Sequence, residues 1–183
     1  MARPLLVSFA AGATGPWIVE SIAAIAGAPL AAAGRLAVSE GPDAPPPESA
    51  WVLKGVTSNL RYTTEREAET LAGRQQGLGR PAATRAALIP IRKSETWWSL
   101  AQDRRREIIE ERSRHIAIGL DYLPAIARRL HHSRELGEPF DFVTWFEFAP
   151  EYAGAFDDLL HRLRASEEWR YVEREIDIRL RLD

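Results

Sequence analysis

The clearest hydrophobic pattern is a strict alternation near the end of the chain. Apolar residues fill every second position there: Ile176, Ile178, Leu180 and Leu182. Charged residues, from Glu175 to Arg181, fill the positions between them. A period of two places successive side chains on opposite faces of a strand. The pattern predicts a long strand over Arg170–Leu182, with one face packed and the other facing solvent or a partner.

Apolar runs bounded by glycine, proline or polar residues predict the other strands. These strands are Pro4–Ala10, Trp17–Ile25, Arg35–Ser39, Ala50–Val56, Arg85–Ile91 and Phe140–Phe148. Four prolines within Gly41–Ser49 remove backbone donors, so this segment is expected to be an exposed loop.

Capping signals and helical spacing predict four helices. They run from Thr63 or Thr64 to about Gln76, from Leu100 to about Ile118, over Leu123–His132 and over Tyr152–Arg164. Ser99 with Gln102 fits a capping box for the second, and Pro124 is tolerated in the first turn of the third. Both halves combine strands with helices, which indicates an α+β fold with helices on one sheet face.

Composition narrows the class of protein. Of 183 residues, 45% are apolar and 27% charged, as in globular proteins, and the net charge of -2 argues against a nucleic-acid partner. No uncharged apolar stretch reaches about 18 residues, which predicts no membrane span. The N-terminal apolar run is short and contains Pro4, so it is interpreted as a strand rather than a signal peptide, and a cytoplasmic location is expected.

The candidate chemistry lies between Leu88 and Leu136, which contains Lys93, a tryptophan pair, His115 and Arg128. A histidine beside apolar residues can ligate a metal through one ring nitrogen while an acceptor, here Glu167 or Glu168, orients the other. An arginine among apolar residues suits a small anion. Taken alone, each residue favours a structural role over a chemical one.

Other residues offer weaker signals. Asn59 and Tyr62 present polar groups that can hold carboxylates, and Thr144 and Phe146 share one strand face as lining for the same pocket. His131 and His132, as neighbours on a predicted helix, diverge by about 100° and cannot easily share a metal. That pair and the Arg104–Arg106 run are therefore interpreted as helix surface. Mononucleotide, dinucleotide and hydrolase motifs are absent from the sequence.

The spacing of these residues resembles the chlorite dismutase family, in particular its short branch. His115 follows the second tryptophan by 17 residues, and Arg128 follows His115 by 13. The likeness extends over nearly the whole chain. It is sharpest in Leu88–Trp98, Arg104–Pro150 and Leu163–Leu180, and Gly55–Thr64 also fits.

The resemblance implies a haem b enzyme that converts chlorite to chloride and dioxygen, through a ferryl intermediate and transient hypochlorite held by a distal arginine. It implies two fused ferredoxin-like halves, residues 1–92 and 93–183, that form a barrel-like fold with haem in the second half. A homodimer is expected. Without cysteine the haem is bound non-covalently, and because the only methionine is Met1, its axial ligand is His or Tyr.

The resemblance also assigns roles to residues. His115 matches the proximal iron ligand, Glu168 (or its neighbour Glu167) the carboxylate that orients it, Lys93 the basic residue beside them, and Arg128 the catalytic distal arginine. Residues expected around the haem and its propionates are Asn59, Tyr62, Ile89, Trp97 and Trp98. Those expected in the distal pocket are Thr144, Phe146 and Leu130.

Three alternatives remain open at this point. A coproheme decarboxylase has the same fold, but its members are usually longer and usually lack an arginine at the Arg128 position. A haem-binding protein without enzymatic activity would bind the cofactor and release no oxygen. A structural interaction domain would not bind haem at all.

Overall fold

The computed structural model describes residues 4–57 and 63–183, and within them eight strands form one closed antiparallel barrel. The strands are β1 (Leu6–Gly12), β2 (Trp17–Ala26), β3 (Arg35–Glu40), β4 (Trp51–Thr57), β5 (Arg85–Lys93), β6 (Ala127–His132), β7 (Phe142–Phe148) and β8 (Val172–Leu182). Around the barrel they follow the order β1-β3-β2-β8-β5-β7-β6-β4.

The two sets of four strands follow the same spatial order. Within β1 to β4 the order is fourth, first, third, second, and β5 to β8 repeat it. The sets join where β2 pairs with β8 and where Val56 and Thr57 of β4 pair with β6. This arrangement confirms the α+β, barrel-like class expected for fused ferredoxin-like halves. The division of the chain between residues 92 and 93 stays a prediction.

The helix predicted over Leu123–His132 is wrong, because this segment contains strand β6. Six consecutive residues of β6, from Ala127 to His132, pair with β7. The ladder hydrogen bonds and the packing of alternate side chains override the helical propensity of Ala, Arg and Leu. Arg128 therefore lies on a strand, and His131 and His132 point to opposite faces of the sheet rather than diverging around a helix.

The single helix predicted from Leu100 to Ile118 is also wrong. The segment consists of α3 (Gln102–Arg106), a π-helical turn (Glu107–Arg112) and α4 (His115–Asp121). Arg114, with a left-handed φ of 53°, separates the turn from α4. Ser99 caps no helix here. It ends the short helix α2 (Glu95–Trp98), which Ser94 caps instead.

The first and the last of the four predicted helices are confirmed. In α1 (Glu65–Arg74), Thr64 and Glu67 form a capping box at the predicted start. Helix α5 (Ala153–Arg164) follows a 3-10 turn at Pro150–Tyr152. No helix in the described part of the chain is long and apolar enough to cross a membrane.

The barrel has a packed interior and a second apolar cluster on its outer face. Side chains such as Phe9, Leu88 and Trp145 fill the interior. On the outside of β5 and β7, Ile89 and Phe146 join a cluster with α5. The helices therefore cover one outer wall of the barrel, and the candidate residues lie along that wall.

The alternation predicted for β8 is confirmed, but half of its charged face is buried, while Arg181 stays exposed. Glu175 is 0% exposed and Asp177 is also buried, under α5. Arg164 of α5 donates to Glu175 at 2.8 Å and to Asp177 at 3.0 Å. Leu182, expected to pack, is 42% exposed. At Glu175 and Asp177, ion pairing with Arg164 of α5 thus takes the place of the contact with solvent or a partner that the sequence predicts.

His131 is part of the barrel interior rather than helix surface. Its side chain is 0% exposed and meets Phe9 edge to face. Nδ1 donates to the carbonyl of Val143 at 2.9 Å, and Nε2 accepts from Arg129 Nε at 3.3 Å. Burial, followed by repulsion from Arg129, outweighs the Val143 hydrogen bond and lowers the pKa of His131 to about 4.

We expect acid to destabilise the protein through His131. Between pH 6.5 and 4, His131 is protonated in the unfolded chain but neutral in the native protein. The free energy of unfolding therefore falls by roughly 1 kcal/mol for each unit by which the pH is lowered. Urea unfolding at pH 7 and 5 measures this slope. His131→Phe should flatten it, whereas His161→Gln, at an exposed position on α5, should leave it unchanged; equal slopes in all three proteins would contradict the assignment.

Candidate functional site

Three side chains predicted as one group meet beside the outer wall of the barrel. His115 Nδ1 lies 2.6 Å from Glu168 Oε2, and Lys93 Nζ lies 2.8 Å from Glu168 Oε1. His115 is the first residue of α4, Lys93 ends β5, and Glu168 lies in the 3-10 turn Glu167–Tyr171. Glu168, not Glu167, therefore contacts the histidine; Glu167 pairs with Arg112 at the surface.

The charge of Glu168 is fixed by its neighbours. The residue is 5% exposed, and burial alone would raise its pKa. Attraction to Lys93 and to His115, with a hydrogen bond from each, outweighs burial and holds the pKa of Glu168 well below its usual range. The ionised carboxylate accepts the Nδ1 proton of His115, which leaves Nε2 with its lone pair as the nitrogen available to a metal.

Aromatic rings surround this group. Lys93 Nζ lies 4.7 Å from the ring centroid of Trp97 and 5.4 Å from that of Trp169. Trp169 stacks beside the His115 ring, with the centroids 6.3 Å apart. The rings exclude water from the buried ion pair, so its electrostatic interactions are weakly screened. Trp169 was not among the residues selected from the sequence.

Asp141 is a second residue that sequence reasoning missed. Its buried carboxylate accepts the backbone N–H of Lys93 at 2.7 Å and the indole N–H of Trp98 at 3.2 Å. The register of β5 against β8 shifts between Arg92 and Lys93, and Asp141 binds the Lys93 amide at this irregularity. Trp98 stacks on Phe142 rather than lining the cavity. A charge inside the apolar run Phe140–Phe148 was the available signal.

We expect Asp141→Asn to destabilise the protein by about 1–3 kcal/mol, because the amide keeps only one acceptor oxygen. That oxygen can replace Oδ2, which Lys93 and Trp98 share, but the amide NH2 group then faces the Arg134 guanidinium, which now donates to Oδ1 at 3.3 Å. Chemical denaturation followed by tryptophan fluorescence measures the change. Asp43→Asn, in the exposed loop between β3 and β4, is the matched control and should change stability by less than about 0.5 kcal/mol. Wild-type stability of Asp141→Asn would show that these hydrogen bonds contribute little.

A cavity of about 750 Å³ opens beside His115. Strands β5, β6 and β7 form one wall, and the other lining residues include members of β4, α1, α2, the π-helical turn, α4 and the Glu167–Tyr171 turn. Its polar and charged lining consists of Thr57, Thr63, Gln75, Gln76, Lys93, His115, Arg128, Arg129, His132, Thr144 and Glu168. The volume lies in the range of about 300–1,000 Å³ typical of small-molecule and cofactor sites.

Arg128 lines the same cavity from β6. Its guanidinium packs against α4 at Gly119, where an added Cβ would lie 3.3 Å from Nη1. Burial lowers the pKa of Arg128. Among the described residues no carboxylate forms an ion pair with this guanidinium, whereas Arg129 beside it pairs with Glu40. An arginine stays protonated at neutral pH, so its positive charge faces the cavity.

The remaining predicted site residues fall into three groups. Trp97, Thr144 and Leu130 line the cavity with Arg128. Ile89 and Phe146 lie behind its wall, in the cluster under α5, where Phe146 packs on Phe156 at 5.0 Å. Asn59 and Tyr62 lie outside the described residues. The roles assigned to all of these residues stay predictions.

Comparison with known proteins identifies the family. The chlorite dismutase family model matches residues 47–180, so the chain belongs to the chlorite dismutase family. A chlorite dismutase from Ideonella dechloratans is 31% identical over 121 residues, which cover 65% of this chain and 40% of that protein. The chain thus spans well under two thirds of that curated relative.

Solved structures agree with the fold. A dimeric chlorite dismutase from Nitrobacter winogradskyi is 54% identical, with a TM-score of 0.88, over 96% of this chain and 99% of that one. Chlorite dismutase from Candidatus Nitrospira defluvii, solved in complex with imidazole, has a TM-score of 0.67 at 19% identity and covers 100% of this chain and 93% of its own. This second likeness concerns the fold alone.

Proposed function

We propose that the protein is a haem b-dependent chlorite dismutase that converts chlorite to chloride and dioxygen. The observation that carries the proposal is one cavity lined both by a histidine with an oriented ring and by an arginine without an ion-pair partner among the described residues. Family membership and the 54% identity to the Nitrobacter winogradskyi enzyme support it.

The residues fit a non-covalently bound haem. The cavity has a suitable volume, His115 Nε2 is the free nitrogen of a ring that faces it, and the Glu168 carboxylate supports the ring as an orienting acceptor. The apolar lining, including Leu71, Ile116 and Trp97, suits a flat hydrophobic ring. When bound, the haem iron would supply the electron transfer that removes one oxygen atom from chlorite and leaves hypochlorite.

The chain's own residues then have separate tasks. Glu168 holds the Nδ1 proton of His115 and keeps the ring in one tautomer, while Lys93 balances the buried negative charge. Arg128 attracts the chlorite anion and retains hypochlorite in the cavity until the second oxygen is transferred and the O–O bond forms. A charged donor in a poorly hydrated pocket is suited to this task because its hydrogen bonds are strong there and its position is fixed.

The oligomeric state and the cellular location are also part of the proposal. A homodimer is proposed because the Nitrobacter winogradskyi relative is described as dimeric. The cytoplasmic location stays a prediction from the sequence.

An oxygen electrode tests the reaction. Haem-loaded protein is mixed with chlorite, and a parallel sample with iron coproporphyrin and hydrogen peroxide is analysed for decarboxylation. Oxygen release with chlorite supports the proposal. Decarboxylation without oxygen release would favour the coproheme decarboxylase, and haem binding with neither reaction would favour a haem-binding protein.

A further inference from the structure

Helix α4 starts at His115 without a capping side chain of the usual kind. The preceding residue, Arg114, has φ 53° and ψ 34° and makes no side-chain cap hydrogen bond. The helix has only seven residues, and its first backbone N–H groups have no partner within it. So short a helix is marginal by itself, so something outside it must fix the direction in which His115 points.

Glu110, in the π-helical turn, supplies that contact. Its Oε2 accepts the N–H of Ile116 at 2.8 Å, and its Oε1 accepts the N–H of Ala117 at 3.3 Å. These are the two residues that follow His115 in α4. A carboxylate at this end of a helix also interacts favourably with the helix dipole. Glu110 therefore holds the first turn of α4 with both oxygens.

Ser113, three residues after Glu110, contacts Glu168, the residue that is hydrogen-bonded to His115. Its buried Oγ accepts the backbone N–H of Glu168 at 2.9 Å. This hydrogen bond fixes the start of the 3-10 turn that carries the carboxylate. One short segment, Glu110–Arg114, thus contacts the helix bearing His115 on one side and the turn bearing Glu168 on the other.

The π-helical turn explains how both contacts arise from neighbouring residues. Ser113 N donates to the carbonyl of Ile108 at 3.1 Å, and Arg114 N donates to that of Glu110 at 3.0 Å. The wider turn and the left-handed Arg114 reverse the chain so that Glu110 lies beside the start of α4. A non-glycine residue in this region costs about 1–2 kcal/mol, and such conformations persist where surrounding contacts enforce them.

We propose that Glu110 and Ser113 are positioning residues that set the geometry of the His115–Glu168 hydrogen bond, and through it the strength of the bond from His115 to haem iron. The inference rests on the proposed haem site. It assigns to these two residues no contact with substrate. Their effect is transmitted through backbone groups of α4 and of the Glu167–Tyr171 turn.

Resonance Raman spectroscopy of ferrous, haem-loaded protein tests the proposal, because the iron–histidine stretching frequency reports how strongly the other ring nitrogen is hydrogen-bonded. Glu110→Ala and Ser113→Ala should lower this frequency, and should speed haem transfer to an acceptor globin roughly tenfold, as loss of outer partners of a ligating histidine does. Glu110→Gln should give an intermediate value, because its amide oxygen retains one acceptor.

Glu111→Gln is the matched control, since Glu111 is the exposed neighbour of Glu110. It should keep the wild-type frequency. A wild-type frequency in folded Glu110→Gln and Ser113→Ala would overturn the proposal, and these milder variants carry the test if Glu110→Ala does not fold. Haem-bound wild type that releases no oxygen would overturn the proposed reaction and leave this test intact; wild type that binds no haem would overturn both.

Discussion

Replacing His115 with alanine is expected to weaken haem binding by more than about 100-fold, because loss of an outer partner of a ligating histidine alone costs about 10–100-fold. The substitution removes the imidazole ring that the Glu168 hydrogen bond orients within the cavity. It also removes one of the hydrogen-bond donors to the buried Glu168 carboxylate. Titration of the apoprotein with haem, followed by the Soret band, measures the affinity.

His161→Ala provides the control for this prediction, because His161 is exposed on α5, away from the cavity lining. Its haem affinity should equal that of the wild type. Added imidazole should partly restore the Soret spectrum of His115→Ala, since a free imidazole can occupy the space left by the side chain. An unchanged affinity in His115→Ala would exclude His115 as the ligand.

Replacing Arg128 with alanine is expected to lower chlorite turnover by about 10²–10³-fold, as removal of one preorganised donor at a reacting anion typically does. The loss has a second consequence. Hypochlorite that escapes the cavity would oxidise tryptophan and tyrosine side chains, so the remaining activity should decay in fewer turnovers. The initial rate of oxygen release measures turnover, and the total oxygen yield measures inactivation. Capture by a chlorination substrate measures the hypochlorite that escapes.

Two variants separate the charge of Arg128 from its shape. Arg128→Lys keeps a positive charge without the planar fork of donors, so it should retain part of the turnover but leak hypochlorite. Arg170→Ala, at an exposed position beyond the cavity lining, should behave as the wild type. Equal inactivation and equal hypochlorite leakage in Arg128→Ala and wild type would refute the retention role.

The strands were largely predictable because burial imposes a simple period on them. The β8 alternation and the apolar runs of β1, β5 and β7 appear at nearly their predicted positions. The helix start predicted at Thr63 or Thr64 is confirmed, since Thr64 caps α1. These signals are local, so a single sequence carries them.

The segment from Leu100 to His132 was predicted poorly because its structure depends on distant partners. β6 looks helical by propensity, and only its pairing with β7 makes it a strand. The helix break before α4 lies at Arg114 rather than at a glycine or a proline, so the sequence contains no helix-breaking residue at this point. The correction alters the site, because Arg128 reaches the cavity from a sheet rather than from a helix.

Sequence reasoning selected residues that meet beside the cavity, but it missed the residues that hold them in place. Spacing and family resemblance selected His115, Glu168, Lys93 and Arg128, and the fold brings the first three into direct contact. Asp141, Ser113 and Glu110 act through backbone N–H groups, and such contacts follow from chain geometry rather than residue type. Gly119 was missed for a similar reason, because its role is to leave room for Arg128.

The most direct test of the account is the oxygen yield per chlorite for haem-loaded wild type, Arg128→Ala and His115→Ala, recorded at equal haem concentration on one electrode. The account predicts sustained release of one dioxygen per chlorite by the wild type, early arrest in Arg128→Ala and no release above free haem in His115→Ala. Wild-type oxygen yields in both variants would contradict it.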